Sequence, residues 1–205
     1  MINALTYEEM LKKIKDNSLD KGIYDDYVAI LLTRPDLETG QNILNSLVYY
    51  HHMTGEYINF YLPGYSAFGG EKYITDVGDI PWYFCTKEFV RFYEKLERIT
   101  SWIYSGESEL ILLELKKGQL QYSHTIVFYI DAMLRDHVID SIPLFMQNLA
   151  RTCKNKDTIN GISNCFGNKK AKELAIDIFF QDNPLGKIFE QEKYFCIRNI
   201  EKSGI

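Results

Sequence analysis

Apolar positions change period several times along this chain, and each change predicts an element. Thr6-Tyr7-Glu8-Glu9 has capping-box spacing, with Thr6 placed to accept from the amide three residues on and Glu9 to reach back, so a helix to about Asn17 follows. Tyr24 to Leu32 and Asn42 to Met53 repeat apolar residues at three and four positions, which predicts two more helices separated at Arg34-Pro35-Asp36. From Tyr57 the period falls to two, the spacing of a strand, until Pro63-Gly64 ends it. A glycine-aromatic loop to Gly70 comes next, then a short strand Lys72 to Val77 and a turn at Gly78-Asp79. Trp82-Tyr83-Phe84 leads into a helix capped by Thr86, whose stripe of Phe89, Tyr93, Leu96 and Ile103 faces away from Arg91, Glu94, Lys95 and Arg98. Glu94 and Arg98 are spaced there for an i, i+4 ion pair.

Two apolar runs, Leu110 to Leu115 and Leu120 to Phe128, flank Lys116-Lys117-Gly118-Gln119 and predict a β-hairpin over about 109–130. Ile142 to Cys153 reads as a helix with Pro143 in its first turn, followed by a short helix from Asp157 or Thr158 through Asn164. Asn168 to Phe180 then reads as a further helix, and Tyr194 to Ile200 as a last strand. The expected fold is a single α+β domain over 1–205. Its parts are helical over 1–55, sheet-rich over 56–130 and helical over 131–205, and a small, mostly antiparallel sheet with a central hairpin packs against all three sets of helices.

Composition supports one sizeable core: 46% of the 205 residues are hydrophobic and 14% aromatic. The N-terminus lacks a basic segment followed by an apolar run, and no apolar stretch reaches about 20 residues, so the expectation is a soluble cytoplasmic protein. Cys85, Cys153, Cys165 and Cys196 include no C-x-x-C pair, which argues for reduced, buried thiols and against a zinc knuckle. The formal charge of -5 is uneven, with 13 basic against 21 acidic residues over 1–150, and six basic residues against Asp157 alone over 151–172. An acidic body repels nucleic acid, while Lys169, Lys170 and Lys172 offer a local patch for an acidic partner. The 157–180 segment has the outline of a helix-turn-helix, but the charge of the rest disfavours sequence-specific DNA binding.

The sharpest chemical motif is Glu114-Leu115-Lys116. Metal-dependent nucleases use a Glu-x-Lys strand end of this kind, in which the Glu binds the metal and the Lys stabilises charge as water attacks phosphate, and Glu94 on the preceding helix would be a second acid. The required upstream Asp is missing, and a Glu and Lys beside a turn also serve solubility and edge protection. Aromatic residues concentrate between Tyr49 and Phe84, with 11 of the chain's 29. In that stretch Tyr65 and Phe68 of the loop, with Trp82, are candidate binding residues. The Gly64 to Lys72 loop lacks the Gly-Lys-Ser/Thr of a phosphate loop, and Ser105-Gly106-Glu107-Ser108 lacks the glycines of a nucleophile elbow. His51 and His52 diverge on a helix, His124 falls on a strand's apolar face as a core histidine, and Asp131 to Asp140 reads as a polar connection.

No spacing implies a metal or a cofactor. The leading expectation is therefore a non-enzymatic binding or accessory protein whose partner is another protein, a neutraliser of a toxin-like enzyme being one concrete form. A metal-dependent phosphodiesterase built on Glu114 and Lys116 is the alternative. No membrane contact is expected, and homo-oligomerisation stays open.

Overall fold

Two strands without a polar face organise the molecule. In the computed structural model, which describes residues 2–21, 26–47, 49–50, 58–77, 79–154 and 193–202, β2 spans Asp26–Leu32 and β7 spans Glu109–Lys116. Every residue from Tyr27 to Leu32 and from Glu109 to Leu115 is buried. Consecutive burial of this kind requires cover on both faces of a sheet. It also corrects the helix expected over Tyr24–Leu32: a continuous apolar run matches a helical stripe and a doubly covered strand equally well, and tertiary burial selects the strand.

The main sheet has the order β1-β3-β2-β7-β8-β9, with β1 over Ile2–Ala4, β3 over Asn59–Pro63, β8 over Gln119–Tyr129 and β9 over Phe195–Arg198. β1, β3 and β2 are mutually parallel, and the remaining pairs are antiparallel. The expected hairpin is therefore present, and its turn places Lys117 and Gly118 at φ 51 and 73, the left-handed pair of a tight primed turn. β1 and β2 interrupt the region expected to be wholly helical. The fold is α+β with a mostly antiparallel sheet.

Alternation and register sort the helices into two layers. Leu110, Leu112 and Glu114 share one face with Phe128, whose ring meets Phe145 of α5 (Ile142–Lys154) at 5.3 Å; α2 (Glu38–Asn45) packs against α5. The opposite face carries Tyr61, which accepts from Asn17 of α1 (Tyr7–Lys21) at 3.3 Å. There Tyr7 meets Phe92 of α3 (Thr86–Ile99) ring to ring at 5.7 Å. The Thr6 half of the α1 capping box forms as the sequence predicts, Glu9 N donating to Thr6 Oγ1 at 3.1 Å; the Glu9 carboxylate reaches one residue further back and accepts from Leu5 N at 2.9 Å. Thr86, expected to cap α3, is instead its first residue, and Glu71 caps from outside the helix by accepting from Thr86 N at 3.1 Å. The Glu94–Arg98 pair does not form; Arg91 bonds Glu88 at 2.6 Å.

A second sheet, β4-β6-β5, is assembled from Tyr65–Ser66, Ile80–Phe84 and Lys72–Val77. α4 (Ile130–Arg135) occupies part of the expected polar connection. The helices expected over 157–164 and 168–180 lie outside the described residues.

Leu113 is fully buried at the centre of the main sheet. Leu113→Ala should destabilise the protein by about 2–5 kcal/mol in urea titration, the transfer loss plus the cavity left behind. A loss below about 0.5 kcal/mol would displace β7 from the core.

Candidate functional site

Glu114 lies third from the end of β7, where the pairing with β8 slips. Leu113 pairs with Thr125 but Glu114 pairs with Gln121, so Tyr122, Ser123 and His124 bulge out of the ladder. Glu114 Oε2 sits 2.9 Å from Lys116 Nζ and 3.9 Å from His124 Nδ1, contacts of ion-pair distance without hydrogen-bond geometry. Contrary to the expected core histidine, the His124 side chain is 37% exposed at this bulge. Alternation puts Glu114 on the α5 face of the sheet, whereas Glu94 belongs to α3 on the other face. The Glu114–Lys116 pair thus forms, but Glu94 is not brought to it. Among the described residues no three His, Cys, Asp or Glu side chains gather as ligands. Glu94 instead lines an open groove of about 420 Å³ between α1 and α3, with Tyr7, Glu8, Phe92, Lys95 and Arg98.

The aromatic candidates separate. Tyr65 is fully buried, its hydroxyl donating to Thr33 O at 3.2 Å, and Trp82 is buried beside it at a ring distance of 6.4 Å. Both belong to the core, which corrects their reading as surface anchors. Gly64 explains how a loop sequence threads inward: at φ 77 it takes a conformation open to glycine, and a Cβ there would sit 2.6 Å from Phe89 Cβ. Phe68, two residues beyond β4, is 97% exposed. Its amide donates to Ser66 Oγ at 3.0 Å, and Glu71 N donates to Phe84 O at 2.9 Å, so both ends of its loop are tied to the small sheet. On β5 the half-exposed Tyr73 meets Tyr83 edge to face at 5.8 Å. Lys169, Lys170 and Lys172 lie outside the described residues.

A third constellation escaped the sequence reading. The carboxyl ends of β1, β3 and β2 meet at one edge of the sheet. After β2 the chain turns to α2, and after β3 to the small sheet, whose β5 packs against α2, before it reaches α3. Here Thr33 Oγ1 and Ser108 Oγ bond at 2.9 Å, and Ser108 N donates to Asp131 at the start of α4. Arg34 follows Thr33, and the Tyr104 ring packs on Tyr93 at 5.0 Å and Phe89 at 5.7 Å. Glu109, fully buried, accepts from Trp102 Nε1 at 3.0 Å and Ser105 N at 2.8 Å. Burial raises its pKa above the usual carboxylate value, against the opposing pull of those donors and of Arg198. Arg135 and Glu107 pair at 3.1 Å on the rim.

Comparison with known protein families finds no matching family model, and neither the curated proteins nor the solved structures contain a match. Among the described residues no helix is long and apolar enough to cross a membrane.

Because Glu109 binds its proton more tightly folded than unfolded, its contribution to stability is fullest below the unfolded value near 4.5 and declines as pH rises through the folded value. Glu109→Gln should remove that decline, which urea midpoints measured across the acidic range would reveal as a flatter slope. Equal slopes for variant and wild type would mean that Glu109 titrates normally.

Proposed function

We propose that this chain is a non-enzymatic binding protein that engages a protein partner through the outer face of its small sheet. The observation that carries this reading is Phe68, 97% exposed on a loop fixed at both ends. Leaving a large ring in water forgoes roughly 1.5–3 kcal/mol of burial, and a loop already ordered around that ring lowers the entropic cost of association. Tyr73, 53% exposed and paired with Tyr83 at the end of the small sheet to which that loop is tied, adds a second ring to this surface. Aromatic anchors of this kind dominate binding energy at protein interfaces.

The charge of -5 points to the partner's chemistry. An acidic surface accelerates encounter with a basic protein and discourages acidic ones, so neutralisation of a basic enzyme is the concrete form of the proposal.

A photo-crosslinking residue at position 68 should capture a defined partner from the native extract, whereas the same residue at Lys117, at the far hairpin turn, should not. With that partner purified, Phe68→Ala should weaken binding by at least about 2 kcal/mol while leaving the melting temperature unchanged. Equal capture from both positions, or undiminished affinity of the variant, would remove Phe68 from the interface and end this reading.

A further inference from the structure

We propose that the outer face of the small sheet receives a proline-rich segment of the partner in the polyproline II conformation, with a proline seated between Tyr73 and Tyr83 and a basic residue one turn along at Asp76. This inference rests on the reading of that face as the contact surface, and it names the chemistry of what docks there. Alternation separates the two sides of β6, since Trp82 and Phe84 are buried whereas Pro81 and Tyr83 are only half-buried. Register then fixes what stands on the outward side. Tyr73 of β5 and Ser66 of β4 flank Tyr83, and Asp76 of β5 stands opposite Pro81. The Tyr73 and Tyr83 rings meet at 5.8 Å with 72° between their planes, which leaves an angular trough and not a closed stack. The Phe68 amide, donating to Ser66 Oγ, ties the exposed loop to the end of the same row.

Conformation, spacing and charge each select this occupant. The register of β5 slips between Tyr73 and Thr75, and the strand carries the exposed charges of Lys72 and Asp76, devices that discourage a further strand from pairing along it. A polyproline II segment needs no such pairing. Its carbonyls have no internal partners and can accept from the tyrosine hydroxyls, and its preformed shape loses little entropy on docking against aromatic rings. From Tyr73 to Asp76 the strand advances three residues, about 10 Å. One turn of polyproline II is also three residues and rises about 9 Å. A proline in the tyrosine trough therefore sets the third residue along at the Asp76 carboxylate, whose charge is already felt at the Tyr73 hydroxyl. Asp76 is exposed and the chain carries a net charge of -5, so a basic side chain is the complement there.

The test uses the full chain and three synthetic peptides: a proline-rich peptide carrying Arg three residues from a proline, the same peptide with Glu in place of Arg, and a glycine-serine peptide with the charge of the first. In NMR titration the Arg peptide should shift the amides of Tyr73, Asp76 and Tyr83 saturably, and the other two should bind at least ten-fold more weakly. Tyr83→Ala should lower affinity for the Arg peptide at least ten-fold. Asp76→Lys, an exposed change that leaves the packed side of the sheet alone, should reverse the preference between the Arg and Glu peptides. Equal binding of the glycine-serine peptide would reduce the face to charge attraction and overturn the proposal, as would an unchanged preference in Asp76→Lys. If no proline-rich peptide gives a saturable shift while Phe68→Ala still weakens the crosslinked partner, the proline-rich ligand is refuted and the contact surface stands; if both effects are absent, the surface itself is lost.

Discussion

The burial of β2 and β7 on both faces is the constraint from which the rest of this structure follows. Neither strand has a solvated side from Tyr27 to Leu32 or from Glu109 to Leu115. Apolar surface on two faces must be covered twice, and the chain meets that demand by sending α1 and α3 to one side and α2 and α5 to the other. Polar residues in these strands occur only near their ends. Glu109 is matched there by two donors, and Glu114 is met by a lysine and a histidine at the bulge. Both acids sit near strand ends, where partners can reach them, as the cost of an unmatched buried charge requires.

That constraint also marks what the sequence could reveal. The β7–β8 hairpin was legible because a Lys-Gly turn and two apolar runs encode it locally, and α1 was legible from a capping box whose Thr6 half forms as spaced. β2 was not legible, since six consecutive apolar residues carry no period, and only the neighbouring strands decide between helix and strand. Tyr65 was misread for a related reason. A glycine-aromatic stretch reads as surface loop, yet Gly64 lets the backbone pass against Phe89 and carries the next ring inward. Of the aromatic candidates, exposure singles out Phe68, a distinction that composition does not contain.

The crevice at the end of β2 lay beyond sequence reasoning altogether. Thr33 meets Ser108, and Glu109 meets Trp102, only because β2 pairs with β7 at the centre of the sheet and the segment after α3 folds back over β7. Three-dimensional proximity between groups so distant in the chain has no local signal.

The strand order also dictates how the molecule assembles in time. The central hairpin closes over a two-residue turn, whereas β1 finds β3, and β9 finds β8, only across long stretches of chain. The hydroxyls of Tyr7 and Tyr122, joined across 115 positions, bring α1 against the bulge of β8. Loop-closure entropy therefore places the hairpin first and the β2–β3 pair next, whereas β2 meets β7 across the longest separation of all, Val28 with Leu113. The edges are then the first places to open in the finished protein, and their amides exchange with solvent sooner than those of β7, which has a partner on either side.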